Sequence, residues 1–176
     1  NHILVLNGDI PLIDQNILDK LITMHLENNA SLSFVCAYNF DPNIKGYGSI
    51  IKDDHSIEIV EAKEQNSQQE TGEVPLLNAG IYLFEKNFLI ESIAKLEASS
   101  ITGEIYITDL VKIANSSNKK IELLVAPFDK IRGVNTLQEL WMVEQIKKAE
   151  LIKNWMDFGV RFASGQNVSI DIDVSI

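Results

Sequence analysis

The sequence has few cysteines and few basic residues. Its 176 residues include a single cysteine, Cys36, and 15 lysines and arginines against 25 aspartates and glutamates. One cysteine cannot form an internal disulfide, which is typical of a reducing compartment, and we expect a cytoplasmic protein. The formal net charge of −10 argues against nucleic-acid binding, because a nucleic-acid surface needs clustered positive charge.

Long apolar runs are also missing. No stretch approaches the roughly 20 apolar residues that a membrane-spanning helix needs, so we expect no membrane insertion. The 45% hydrophobic content is enough to fill the core of one domain of ordinary size. The sequence begins inside a predicted core strand, without an initiator methionine, and we expect it to be part of a longer protein with a segment ahead of Asn1.

The stretch His2–Leu12 contains a short apolar run that leads to Asp9 and is interrupted by Pro11. An unbroken run of Ile, Leu and Val is typical of a strand that is covered on both faces, and proline prevents the strand from continuing. Asp9 is therefore predicted at the carboxyl end of a buried strand, where open α/β sheets place their ligands. The local pattern leaves open whether Asp9 binds a ligand or caps the following turn.

Helix and strand patterns alternate along the rest of the chain. Asp14 is placed to cap a helix, and 31–38 follows as a second buried strand, which completes a strand–helix–strand unit. His25 in this helix has no other metal ligand at suitable spacing, which indicates a packing or surface role. The further predicted elements are a hairpin (46–61), a polar surface loop or flap (64–73), a buried strand (76–84), helices (87–96 and 109–114), a strand (119–126), and a helix that starts at a Thr136–Glu139 capping box and ends near Trp155.

Residues 158–176 have a different pattern. Phe162, Val168 and Val174 are six positions apart, and so are Ile170 and Ile176. A six-residue period of apolar side chains with small or acidic neighbours is typical of a left-handed β-helix. Because fewer than three repeats are present, the period alone leaves this interpretation open.

Four polar residues interrupt apolar strands or follow them: Asp9, Glu61, Asn78 and Asn135. Such positions converge on one edge of an α/β sheet. A carboxylate and an amide that supply oxygen to one point suit Mg²⁺, which keeps several waters and shares phosphate oxygens with a substrate. Glu61 and Asn78 offer hydrogen-bond acceptors and donors for sugar hydroxyls and an acetamido group. Each residue considered alone is more often structural.

The order of several motifs carries more weight than any one of them. The motifs are Leu6–Leu12, Gly46–Gly48, Ile59–Lys63, Leu77–Tyr82, Gly103–Asp109 and Gly133–Asn135. So arranged, they closely resemble the bacterial bifunctional N-acetylglucosamine-1-phosphate uridyltransferase / glucosamine-1-phosphate acetyltransferase family over essentially the whole chain. The resemblance implies a Rossmann-like nucleotidyltransferase (sugar-nucleotide pyrophosphorylase) fold with a mixed sheet over 1–157, and the start of a left-handed β-helix over 158–176.

The resemblance also implies a reaction and a set of site residues. UTP and N-acetylglucosamine 1-phosphate would form UDP-N-acetylglucosamine, a cell-envelope (peptidoglycan) precursor, with release of pyrophosphate. Asp9 and Asn135 would bind Mg²⁺, and the full-length protein would form a homotrimer through its β-helix. No side chain would act as a general base, because the attacking phosphate is already anionic. The implied substrate contacts are Asn7, Gly8, Gly48, Glu61, Asn78, Tyr106, Thr108 and Asn135.

Several features depart from the family pattern. Asn7 stands where the family has tyrosine, Ser49 where it has arginine, and Glu64 where it has aspartate. The glycine-rich loop that cradles the triphosphate precedes this segment in the family and does not occur in residues 1–176, so most uridine and phosphate contacts are expected outside them. Two alternatives stay open: another sugar-1-phosphate nucleotidyltransferase, and a degenerate sugar-nucleotide-binding protein without catalysis.

Overall fold

A computed structural model describes residues 1–41, 44–53, 56–64, 74–165 and 167–175. These residues form a six-stranded sheet with helices packed on its faces. The elements are β1 (His2–Val5), α1 (Gln15–Glu27), β2 (Leu32–Tyr38), β3 (Ser49–Lys52), β4 (Ile57–Val60), β5 (Leu76–Glu85), α2 (Lys86–Ile93), α3 (Asp109–Ser116), β6 (Ile121–Val125) and α4 (Leu137–Asp157), with 3-10 turns at Ala62–Glu64 and Phe128–Lys130.

The sheet is mixed, and β5 organises it. The strand order is β4-β3-β5-β2-β6, and β1 also pairs with β5. β5 runs antiparallel to β1, β2 and β3, whereas β2 and β6 are parallel. The predicted strand–helix–strand unit corresponds to β1, α1 and β2. Its two strands run in the same direction, but β5 lies between them, so α1 connects strands that are not neighbours.

The core occupies both faces of the sheet, with β2 at its centre. Every residue of Leu32–Ala37 is buried. Alternate side chains of a strand point to opposite faces. Accordingly, Phe34 packs in the cluster that contains α2 and α3 residues, and Val35 packs in the cluster that contains α1 residues. The predicted second buried strand is therefore confirmed.

The prediction that the opening strand is covered on both faces is wrong. Partial burial alternates with exposure along β1, and Leu4 is 37% exposed and Leu6 46%. The reason is the position of β1 in the sheet: among the described residues it pairs with β5 alone, and only with the last residues of that strand. Asp9 nevertheless follows the carboxyl end of β1, as predicted.

Both predicted helix starts are confirmed. Asp14 caps α1, where its Oδ1 accepts a hydrogen bond from Ile17 N at 3.0 Å. Thr136 caps α4, where its Oγ1 accepts from Glu139 N at 3.2 Å and its own N–H donates to Glu139 Oε2 at 2.8 Å. The helix ends at Asp157, near the predicted end. These bonds join residues three apart, which is why the sequence alone predicts them.

Two predictions have no counterpart in the described elements. Residues 65–73 of the predicted polar loop or flap lie outside the described residues. The residues described in 158–165 and 167–175 contain turns and no strand, so the β-helix start and the division into two parts stay predictions. No helix of the described chain combines the length and the apolar character that a membrane crossing requires.

His25 of α1 has the packing role that the sequence indicated. It is fully buried, its Nδ1 lies 2.7 Å from Ser33 Oγ, and the ring of His2 contacts it edge-on with the centroids 4.9 Å apart. Its Nε2 has no hydrogen-bond partner in the part of the chain that is described. Burial first, and the nearby His2 second, lower the pKa of His25, while Glu85 acts in the opposite direction.

This environment predicts a pH-dependent stability. Since the folded-state pKa of His25 lies below its ordinary value of 6.5, the unfolded chain binds more protons, and stability is lost as the pH falls below about 6.5. We expect the free energy of unfolding, measured with urea between pH 7.5 and 5, to fall less steeply in His25→Gln than in the wild type. His2→Gln serves as the control for the second histidine. Equal pH slopes in His25→Gln and the wild type would contradict the prediction.

Candidate functional site

A cavity of about 170 Å³ opens beyond the carboxyl end of β1, between the start of β3 and the middle of β5. Residues far apart in the sequence line it. The predicted site residues among them are Asn7, Asp9, Gly48, Glu61, Asn78, Thr108 and Asn135. A larger cleft of about 320 Å³ lies at the opposite end of the β3–β4 hairpin, between Lys52, Asn115 and Glu122, and contains none of the predicted residues.

Asp9 and Asn135 meet on one side of this cavity, next to Gly133. A Cβ atom placed on Gly133 would lie 3.5 Å from Asp9 Oδ2 and 3.8 Å from Asn135 Nδ2, so both side chains lie within 4 Å of one point. The backbone keeps them there, because Val134 N donates to Asp9 O at 2.9 Å and Asn135 N donates to Glu139 Oε2 at 2.7 Å. The capping box of α4 therefore also holds Asn135.

A carboxylate and an amide are donor types that a partial coordination sphere of Mg²⁺ uses, and the metal role of Asp9 and Asn135 stays a prediction. Among the described residues no group of three or more His, Cys, Asp or Glu side chains could hold a metal ion. A site with one carboxylate and one amide leaves most positions to water and substrate phosphate, which suits Mg²⁺ better than zinc.

Tyr47, which the sequence analysis did not single out, connects the two sides of the cavity. Its Oη accepts a hydrogen bond from Gly133 N at 2.7 Å, and its ring packs edge-on against Phe128 with the centroids 5.6 Å apart. Burial raises the pKa of Tyr47, and the Gly133 hydrogen bond counteracts this in part. The hydroxyl is therefore neutral at physiological pH, and it fastens the Gly133–Asn135 loop to the turn that precedes β3.

We expect Tyr47→Phe to loosen this loop. The buried N–H of Gly133 would lose its acceptor, which costs about 1–3 kcal/mol of unfolding free energy. The measurement is urea unfolding of Tyr47→Phe, with Tyr38→Phe as the matched control, since Tyr38 is half exposed and does not line the cavity. Faster hydrogen exchange of the Gly133 amide should accompany the loss. Unchanged exchange would contradict the assigned bond.

Glu61, Gly48 and Thr108 form a second group of neighbours in the lining of the cavity. Thr108, which is buried at the start of α3, donates from Oγ1 to Glu61 Oε1 at 2.5 Å. A Cβ atom on Gly48 would lie 3.1 Å from Ile59 Cγ2, which is a tight contact, and 3.6 Å from Glu61 Oε2, which is ordinary van der Waals contact. Thr108 thus bonds to Oε1 of Glu61, and Oε2 lies next to Gly48.

Asn78 lies in a bulge of β5. Phe34 of β2 pairs with Tyr82 and Cys36 pairs with Asn78, so that two positions along β2 match four along β5. The extra residues include Gly80 with φ +70°. Bulges bend a strand and re-aim its side chains, and this one brings Asn78 Nδ2 to 2.6 Å from Tyr82 Oη. The sequence predicted either a structural partner or a ligand for Asn78; the structure shows a structural partner in Tyr82, and the ligand role stays a prediction.

Two predicted contacts do not line the cavity. Gly8 is exposed, with nothing within 4 Å of a Cβ placed on it. Tyr106 turns to its own loop, where its Oη lies 2.8 Å from Thr102 Oγ1. The same loop is tied to the segment after Glu61 by the ion pair of Lys63 and Glu104 at 2.5 Å. The prediction missed eight residues that line the cavity: Ile10, Gly46, Tyr47, Ala79, Gly80, Tyr82, Ile107 and Gly133. All eight lie inside the motifs noted above, but only the fold shows their contacts.

The fold and the cavity together are those of a nucleotidyl transferase. The model of the nucleotidyl transferase family matches residues 1–162, and the chain belongs to this family. It is 33% identical over 174 residues to the bifunctional protein GlmU of Clostridium kluyveri and 34% identical to that of Campylobacter jejuni. Each match covers 98% of this chain, which spans 37% and 39% of the length of these two relatives.

Solved structures with the same fold agree with this assignment. The uridine diphosphate N-acetylglucosamine pyrophosphorylase of Trypanosoma brucei superposes with a TM-score of 0.54 at 14% identity, over 76% of this chain and 31% of that one. A CMP:2-keto-3-deoxy-manno-octonic acid synthetase gives 0.57 at 14% identity, over 85% and 62%. The predicted Rossmann-like nucleotidyltransferase fold with a mixed sheet is therefore confirmed.

Proposed function

We propose that the protein to which this chain belongs transfers a uridylyl group from UTP to N-acetylglucosamine 1-phosphate, forming UDP-N-acetylglucosamine and pyrophosphate. The observation that carries the proposal is the meeting of Asp9 and Asn135 within 4 Å of one point, in a cavity that Glu61 and Asn78 also line. A pair of metal-ligand type and a pair of sugar-binding type thus line one cavity. The GlmU relatives and the pyrophosphorylase fold support this choice of substrates.

In the proposed reaction an oxygen of the sugar phosphate forms a bond to the α-phosphorus of UTP, and the bond between that phosphorus and the bridging oxygen breaks. Pyrophosphate leaves with the electron pair. The attacking oxygen is already anionic, so no residue of this chain needs to remove a proton. Mg²⁺, held by Asp9 and Asn135, would supply the positive charge that offsets the repulsion between the two anions.

The sugar-side residues would bind and orient the sugar. Glu61 keeps one oxygen bonded to Thr108 Oγ1 at 2.5 Å and can accept from a sugar hydroxyl with the other. Asn78 donates with one N–H to Tyr82 and has a second N–H for the ligand. Holding the sugar at fixed points positions the phosphate for attack, which is the main source of catalysis when no proton moves.

Further proposals concern the whole protein. We propose a cytoplasmic enzyme that supplies cell-envelope precursors, whose residues beyond 157 begin a β-helix that carries acetyltransferase activity and builds a homotrimer. Support comes from the six-residue period of 158–176 and from the bifunctional relatives. The glycine-rich loop with Arg and Lys would complete the nucleotide site from the segment ahead of Asn1.

The test is a substrate matrix with the full-length protein. Pyrophosphate release is measured for UTP, dTTP and CTP, each with N-acetylglucosamine 1-phosphate and glucose 1-phosphate, and binding of UDP-N-acetylglucosamine is measured by calorimetry. Release that is fastest with UTP and N-acetylglucosamine 1-phosphate supports the proposal. A preference for another pair points to a different sugar-nucleotide pyrophosphorylase. Binding of the sugar nucleotide without release, for any pair, points to a degenerate binding protein.

A further inference from the structure

Tyr82 places a phenolic hydroxyl at the cavity from inside the core. Only 1% of the residue is exposed, and its ring packs between Phe34 and Phe84, with the centroids 5.9 Å and 5.7 Å away. Yet it lines the cavity, and its Oη accepts from Asn78 Nδ2 at 2.6 Å. Burial raises the pKa of Tyr82 far above its ordinary value, so the hydroxyl stays protonated and can donate as well as accept.

The amide of Asn78 is held at both ends. Its Nδ2 donates to Tyr82, and its Oδ1 accepts from Gly80 N at 3.2 Å. These two bonds fix the orientation of the amide. If the amide were flipped, its NH₂ group would face the N–H of Gly80, and two donors cannot bond to each other. Its oxygen would face the Tyr82 hydroxyl, which would then have to donate instead of accept. The backbone of Asn78 is also fixed, since its N donates to Gly48 O at 2.9 Å.

Two donors remain at this point of the cavity. Within the described residues, neither the second N–H of Asn78 nor the hydroxyl proton of Tyr82 has a hydrogen-bond acceptor. Glu61 is close enough to act on the pKa of Tyr82 through its charge, and both line the cavity with Asn78. A sugar hydroxyl donates one hydrogen bond and accepts others. It can therefore donate to the Glu61 carboxylate and accept from the donors of Asn78 and Tyr82.

We propose that Tyr82 is a positioning residue: its hydroxyl locks the amide of Asn78 so that a donor faces the sugar beside Glu61, and the cavity thereby selects the configuration of the sugar hydroxyls. The proposal rests on the proposed function for the identity of the sugar phosphate. A locked donor rejects an epimer whose hydroxyl points elsewhere, because the donor is then buried without an acceptor. A free amide would adapt to either epimer.

The variant Tyr82→Phe keeps the aromatic ring and removes the hydroxyl that accepts the hydrogen bond from Asn78. We expect the KM for N-acetylglucosamine 1-phosphate to rise about tenfold while kcat falls less than about threefold, since the lost contact acts in binding. We also expect discrimination against the C4 epimer, N-acetylgalactosamine 1-phosphate, to fall about tenfold. Tyr38→Phe is the matched control, because Tyr38 is 48% exposed and lies outside the cavity.

A double-mutant cycle with Asn78→Ala separates positioning from packing. If Tyr82 acts through Asn78, Tyr82→Phe changes KM and epimer discrimination in the wild type but not in the Asn78→Ala background. Equal effects in both backgrounds would overturn the proposal. So would a Tyr82→Phe variant that does not fold, since the hydroxyl would then serve the core, or one that unfolds at a lower Tm with unchanged discrimination.

Calorimetry keeps this test distinct from the test of the proposed function. If the wild type binds N-acetylglucosamine 1-phosphate but releases no pyrophosphate, the proposed function fails, and the same cycle is evaluated with Kd in place of KM. If the wild type binds neither epimer, both proposals fail. If it turns over normally and the cycle shows no coupling between Tyr82 and Asn78, only the positioning proposal fails.

Discussion

Asp9→Asn is expected to lower turnover of the full-length protein by a factor of about 10²–10³, with little change in the free energy of unfolding. The change removes a negative charge where Asp9 and Asn135 approach one point, and a neutral amide is a much weaker ligand for Mg²⁺ than a carboxylate. The backbone bond from Val134 N to Asp9 O, at 2.9 Å, does not involve the side chain, so the loop should keep its place.

The measurement is turnover as a function of Mg²⁺ concentration, with urea unfolding in parallel. Asp19→Asn is the matched control, because Asp19 is an exposed residue of α1 and does not line the cavity. We expect Asp9→Asn to need more Mg²⁺ for half-maximal turnover and to stay slow at saturation. Turnover equal to that of the wild type at saturating Mg²⁺ would refute the metal role of Asp9, and with it the central argument for the proposed function.

Gly80→Ala should lower the free energy of unfolding through backbone strain and a collision with the side chain of Asn7. A Cβ atom on Gly80 would lie 2.1 Å from Asn7 Nδ2 and 2.7 Å from Asn7 Cγ, which no contact between real atoms allows. The backbone at φ +70° is itself unfavourable for a residue with a side chain, by about 1–2 kcal/mol. Asn7 is exposed and its side chain can move aside, so the collision adds little to the backbone strain, and we expect a total cost of about 1–3 kcal/mol.

Gly103→Ala isolates the backbone contribution. Gly103 has nearly the same φ, +73°, but nothing within 4 Å of a Cβ placed on it, so only the strain of about 1–2 kcal/mol should appear. Combining Gly80→Ala with Asn7→Ala should reduce the cost of the former to that of Gly103→Ala, because the colliding side chain is gone. Urea unfolding measures all of these. Equal costs for Gly80→Ala and Gly103→Ala would show that Asn7 moves aside freely.

The packing of Asn7 also explains how this chain accommodates a departure from the family pattern. Where the family has tyrosine, Asn7 lies against the backbone of Gly80 in the β5 bulge, beside Asn78 and Tyr82. The departure therefore changes the wall of the cavity next to the β5 bulge. The lost arginine at Ser49 has no such structural explanation.

The elements that the sequence by itself determined are those whose causes are local. The caps at Asp14 and Thr136 join residues three apart, and the apolar run of β2 lies buried on both faces. Motif order singled out seven of the fifteen described residues that line the cavity, although the residues taken singly pointed to structural roles. The family resemblance supplied that location. The pattern of residue types alone would not have decided between a structural and a binding role for Glu61 and Asn78.

Only the tertiary structure decided the features that depend on which segment lies beside which. The exposure of Leu4 follows from the position of β1 next to the last residues of β5, which no run of apolar residues encodes. The bulge at Gly80 emerges from the pairing of two strands. Tyr47 finds its partner 86 residues away in Gly133, and Thr108 finds Glu61 47 residues away. Hydrogen bonds of this kind depend on distances of a few ångströms, which are set when the sheet assembles, whereas a sequence pattern reports only spacing along the chain.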